Sequence, residues 1–175
     1  LPGGWFLYGP ESIQLQEEIA QALTAAIQAE GYAALAPRLD RRYWQSDSYC
    51  PESEANFTSN WSERHAAFAA GLGTFSLNFS MITKRGMAGR FISVVTRLPL
   101  MPDIRPYTGI SEYCSNCGVC IRRCPMRAID KKGKNKRACA AWGDVIRGEY
   151  SNVYTCNACH TETPCSEGIP PRAEP

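Results

Sequence analysis

The chain has 175 residues, 44% of them hydrophobic, and its 19 Lys and Arg against 17 Asp and Glu give a formal charge of +2. That supplies enough apolar side chain for a folded core, and too small a basic excess for a protein held on nucleic acid by phosphate contacts. No apolar run approaches the ~20 residues of a membrane span and no secretion signal opens the chain, so a cytoplasmic protein without membrane contact is expected.

Residues 11–30 read as an amphipathic helix: Ile19, Leu23 and Ile27 recur at four-residue steps, Ile13 and Leu15 extend the stripe, and Gly31 caps its end. Residues 32–36 suit a short strand ended by Pro37, and a polar, irregular stretch runs from about Arg38 to Asn60. Ser62 is a candidate cap for a short helix over 63–70, which Gly71 stops. Residues 79–83 and 90–96, around the turn Lys84-Arg85-Gly86, read as a hairpin or neighbouring strands. Three prolines in residues 98–106 then mark a boundary. The expectation is an α+β chain: a small mixed N-terminal domain, 1–106, packed against a ferredoxin-like two-cluster module, 107–175. Residues 131–137 form a charge run, read as a solvated loop; contact with an acidic partner or RNA is the alternative.

Nine cysteines are the compositional outlier, and all but Cys50 lie between positions 114 and 165. An odd total and two- or three-residue spacings argue against disulfides and for shared metal centres in a reducing compartment. Cys114-x2-Cys117-x2-Cys120-x3-Cys124-Pro125 matches the bacterial ferredoxin run, in which three stepped cysteines serve one cubane and the fourth reaches another. Gly118 lets backbone approach the sulfurs, and residues 126–129 would start a short helix packing Ile129 under the cluster. Zinc sites use separated pairs instead. Cys139, Cys156, Cys159 and Cys165 bring the ligands to eight, the complement of two [4Fe–4S] clusters. A zinc knuckle of Cys156 and Cys159 with His160 or Cys165 competes for this half; otherwise His160 is an ordinary polar neighbour. Cys50, followed by Pro51 but far from other cysteines, reads as a free or buried thiol.

Residues 61–75, from Trp61 through Glu63-Arg64 to Gly71-Leu72-Gly73-Thr74-Phe75, followed by Met81-Ile82-Thr83, Val94-Val95-Thr96 and the cysteine run, resemble the epoxyqueuosine reductase-like proteins. These are related to reductive dehalogenases, and both groups join a corrinoid-binding domain to a two-cluster module. The resemblance implies that Cys114, Cys117, Cys120 and Cys165 hold one [4Fe–4S] cluster and that Cys124, Cys139, Cys156 and Cys159 hold the other. It also implies that Gly71, Gly73 and Thr74 lie near the face of a bound cobalamin. Residues 56–60 depart from the pattern, for the resemblance implies an Asp proton donor just ahead of Glu63-Arg64 and no carboxylate stands there. Pro164 precedes Cys165 where the family has proline after it. Epoxyqueuosine reduction by this chain alone is therefore not expected.

The leading expectation is an iron–sulfur protein relaying single electrons through two clusters, from a low-potential donor to a corrinoid or a partner's redox centre. Arg122, Arg123 and Arg127 would favour the reduced clusters or simply face solvent. A corrinoid-dependent reductase acting on a small molecule or modified nucleoside is the alternative, and a structural metal-binding or RNA-interaction module, favoured only if the metal is zinc, is the third reading. Whether the chain is itself an enzyme stays open; if it is, it is an iron–sulfur oxidoreductase.

Overall fold

The computed structural model describes residues 9–42, 59–87, 89–149 and 156–172. Cys50 and residues 56–58 lie outside them. In chain order the elements are α1 (Gly9–Ala29), β1 (Ala34–Leu35), a 3-10 turn (Pro37–Leu39), α2 (Glu63–Ala69), β2 (Gly73–Phe75), β3 (Met81–Thr83), β4 (Val95–Thr96), α3 (Val119–Arg123), β5 (Ile129–Asp130), β6 (Gly133–Lys134) and α4 (Lys136–Glu149). Short antiparallel pairs among helices make this an α+β chain.

Helix α1 ends as its sequence dictates: Gly31 N–H donates to Gln28 O and Tyr32 N–H to Ile27 O, the paired bonds of a Schellman stop. Its inner face is not the expected one. Ala20 and Ile27 are buried, whereas Leu15, Ile19 and Leu23 stay about half exposed. Residues 13, 16, 17, 20, 24 and 27 turn inward, a stripe one position away from the larger aliphatic side chains.

The expected hairpin of residues 79–83 with 90–96 does not form. β3 pairs with β2, placing Thr74 opposite Ile82, while β4 pairs with the distant β1. The turn at Lys84-Arg85-Gly86 is present, closed by reciprocal Thr83 and Gly86 backbone bonds of 3.0 Å, but the chain leaving it does not return along β3. Ser62 caps α2 as expected, its hydroxyl accepting from His65 N–H.

No helix or strand lies between Thr96 and Val119. The segment is nonetheless fastened to the N-terminal part. Tyr107 OH donates to Phe68 O at 2.8 Å and accepts from Gly73 N–H at 3.1 Å, while Phe75 N–H donates to Ile110 O at 2.7 Å. Residues 126–129 are not helical: Arg127 has φ of 48° and Ile129 opens β5. Ile129 still reaches its expected neighbourhood, packed with Cys120 and Cys159. Nor is 131–137 a plain loop, since Gly133–Lys134 is β6 and Lys136 starts α4. Among the described residues no helix is long and apolar enough to cross a membrane.

Candidate metal centres and the adjoining cavity

Two small cavities are each walled by four thiols. Cys114, Cys117, Cys120 and Cys165 line one, beside Ile82, Met87 and Pro170. Cys124, Cys139, Cys156 and Cys159 line the other, beside Pro125, Ile129 and Trp142. The chain thus gathers the same two sets of four that the resemblance implies, and all eight are free thiols.

Local backbone explains how residues so close in sequence part between two sites. Asn116 and Gly118 both take positive φ, which turns the chain between Cys114, Cys117 and Cys120. Helix α3 then carries Cys120 one way, and Cys124, at its C-terminal cap, leaves in extended backbone. Cys139 comes from the first turns of α4, and the turn after Cys156 is closed by His160 N–H donating to Asn157 O.

The donor set suits a polynuclear cluster. Among the described residues no three His, Cys, Asp or Glu side chains come close enough to hold one metal ion. Four thiols about each small cavity are the donor set that a [4Fe–4S] cluster takes. Burial pushes the Cys120 and Cys159 thiols up to about 11 and raises Cys165 as well. Loading as thiolates therefore releases protons.

Three of these sulfurs have polar neighbours, one of them Cys114 Sγ, 3.7 Å from Asn116 Oδ1. Ala128 N–H donates to Cys124 Sγ at 3.2 Å, and Thr163 Oγ1 lies 3.4 Å from Cys165 Sγ. A hydroxyl donating to a thiolate stabilises the more negative, reduced state. Thr163→Val is expected to lower one reduction potential by roughly 40–60 mV, the equivalent of about 1 kcal/mol, with iron content unchanged. A redox titration followed by EPR measures this, and an unshifted potential would show that the hydroxyl serves Ser166 alone.

The sequence reading missed what holds these sites to the rest of the molecule. Thr74, Ser76, Asn78 and Ser80 are all buried at alternate positions, a polar row facing inward. Asn78 Nδ2 donates to Cys159 O at 2.7 Å, and Ser80 Oγ lies 2.5 Å from His160 Nε2. His160 is thus no ordinary polar neighbour; burial lowers its pKa to about 4, which keeps the ring neutral. The two-residue polar period was the available signal, but exposed polar faces share it. Of the arginines beside the cysteines, Arg123 is tied to Ala158 O and to Glu162, and Arg122 reaches Cys117 O.

Gly71, Gly73 and Thr74 are engaged within the chain. Gly71, at φ 81°, lets α2 stop, and a Cβ on Gly73 would meet Ile82 O at 2.2 Å. Thr74 Oγ1 accepts from Tyr113 N–H at 2.8 Å. None of the three lines a cavity of about 650 Å³ that is bounded by Arg64, His65, Phe75, Phe79, Lys132 and Lys136 among others. Cys114 borders this space as well as its own thiol-lined cavity.

No protein-family model matches the chain. Over 64 residues it is 41% identical to the tetrachloroethene reductive dehalogenase of Sulfurospirillum multivorans, covering 36% of this chain and 13% of that one. Over 122 residues it is 26% identical to the epoxyqueuosine reductase of Listeria monocytogenes serovar 1/2a, covering 63% of this chain and 31% of that one. The chain is a relative of reductive dehalogenases and epoxyqueuosine reductases. It spans less than a third of the length of either of these two relatives. A solved reductive dehalogenase whose structure suggests a mechanism for B12-dependent dehalogenation shares the fold, with a TM-score of 0.62 at 20% identity over 89% of this chain and 21% of its own. These relatives are reductases, so the resemblance carried by residues 61–75 and the cysteine run leads to oxidoreductase relatives.

Proposed function

We propose that this chain relays single electrons through two [4Fe–4S] clusters to an acceptor seated in the 650 Å³ cavity. Cys114, Cys117, Cys120 and Cys165 would hold the cluster beside that cavity, and Cys124, Cys139, Cys156 and Cys159 the other. The supporting observation is Cys114, which walls both its four-thiol site and the larger space, so an acceptor there would adjoin a cluster ligand. The clusters supply one-electron reduction; the chain supplies their burial, the amide and hydroxyl on Cys124 and Cys165, and cations near them. Lys134 is one, close enough to favour the Cys159 thiolate. A low-potential donor protein would feed the pair.

A corrinoid-dependent reductase is the second reading, favoured by the B12-dependent relative. The cavity fits part of such a ligand: Phe75, Leu77, Phe79 and Ile110 offer an apolar face, and Arg64, Lys132 and Lys136 offer donors for amide or phosphate groups. Residues 107–175 as the cluster-bearing module remain part of this proposal.

Anaerobic reconstitution followed by iron, sulfide and cobalt analysis tests both readings. About eight iron and eight sulfide per chain are expected. Cys120→Ser and Cys156→Ser should each lose about half of the iron, from different clusters by EPR, while Cys50→Ser loses none. Half-loss in Cys50→Ser, or full loading in the other two, would overturn the ligand sets. A corrinoid spectrum that survives gel filtration after cobalamin addition would favour the second reading.

A further inference from the structure

Helix α4 carries Cys139 and, three residues on, Trp142, and both line the cavity walled by Cys124, Cys139, Cys156 and Cys159. Residues three apart share a helix face, and a long side chain leans back over the turn before its own Cα, which for Trp142 is the turn of Cys139. The face continues inward through the buried Gly143 and Ile146. Position alone would make Trp142 a piece of apolar wall. Its indole N–H says more, because Nε1 is buried and donates to nothing, the four thiols included.

A buried donor without an acceptor is costly, since nothing replaces the water it gave up. A cluster held by these four thiols would bring sulfide into the same cavity as an acceptor. We infer that Trp142 is a hydrogen-bond donor to the [4Fe–4S] cluster of Cys124, Cys139, Cys156 and Cys159 and raises its reduction potential. The inference rests on the ligand sets proposed above. An N–H facing a cluster sulfur interacts more strongly with the reduced, more negative state, so this donor favours reduction. Ala128 N–H, which donates to Cys124 Sγ at 3.2 Å, acts in the same direction from the opposite end of the site's sequence.

The reconstituted chain, with its indole nitrogens isotopically labelled, tests this without any substitution. Pulsed EPR of the reduced protein should show a hyperfine coupling from an indole nitrogen, and Trp142→Phe should abolish it. That variant keeps an aromatic ring and loses the donor. At a fixed potential the reduced-to-oxidised ratio of this cluster should fall about tenfold, which is about 59 mV for a one-electron couple, while the other cluster is unmoved and iron content is kept. Trp61→Phe is the control, since Trp61 Nε1 donates to Ser93 Oγ at 3.0 Å, and both potentials should hold. If Trp142→Phe loses its iron, the coupling in the parent chain still decides. A fully loaded parent without that coupling, or a fully loaded Trp142→Phe with an unshifted potential, would overturn the inference and leave the ligand sets standing. A parent that loads no iron on Cys124, Cys139, Cys156 and Cys159 would overturn both. Coupling and shift without electron transfer to an acceptor would support Trp142 as the donor and count against the relay alone.

Discussion

Gly86→Ala is expected to strip the Cys165-containing set of its iron and to destabilise the chain by about 3–5 kcal/mol. Gly86 has φ of 83°, and a Cβ there would lie 2.1 Å from Ser166 O and 2.5 Å from Glu167 N. Both obstacles are backbone, so no side chain can swing aside. The next residue makes the position matter for the site, because Met87 N–H donates to Cys165 O at 3.0 Å. The added methyl would therefore push away the loop that delivers the fourth thiol to Cys114, Cys117 and Cys120. The other set takes no thiol from this loop and should keep its share. Gly89→Ala is the control, since a Cβ there meets nothing within 4 Å. Iron content and the EPR of each cluster decide it, and full iron in Gly86→Ala would show that the 84–86 turn does not position Cys165.

That dependence could not be read in the sequence. Lys84-Arg85-Gly86 was recognisable as a turn from its own residues, yet what packs on it comes from some 80 positions away. The same division runs through the molecule. Helix ends at Gly31 and Gly71 and the Ser62 cap depend on short-range chemistry, and they stood out. Strand partners did not: β3 and β4 have two or three residues each, too few for side-chain alternation to name a partner. Leu15, Ile19 and Leu23 misled for a related reason, as a helix with apolar residues on two adjacent stripes does not say which one the rest of the chain will cover. In the site, the cysteine run was visible as a spacing, whereas the neighbouring cavities were not, because their walls come from separate segments.

Asn78→Ala is the variant that should separate the two parts of the molecule. Asn78 is fully buried, and every polar atom of its side chain is used. Oδ1 accepts from Ser76 Oγ at 2.5 Å and from Ser80 N–H at 3.0 Å, holding the 76–80 turn in which Phe79 takes φ of 61°. Nδ2 donates to Cys159 O at 2.7 Å and lies 3.5 Å from Met87 Sδ. The amide thus joins a turn of the N-terminal part to the backbone of a candidate ligand. Truncation leaves a carbonyl, an amide and a hydroxyl buried without it, and it opens a hole where water finds no matching set of partners. Roughly 2–3 kcal/mol should be lost, lowering the thermal midpoint by about 5–10 °C. The damage should also be local to one cluster. Cys159 belongs to the set with Cys124, Cys139 and Cys156, so that cluster should bleach first in air while the one on Cys165 persists. Asn78→Asp distinguishes the two roles, since it keeps the acceptor that orders the turn and removes the donor to Cys159. If the tether to Cys159 is what stabilises the cluster, the Asp variant bleaches as fast as Ala despite a better-formed turn; if Asp matches the parent chain, the contact contributes nothing to cluster retention.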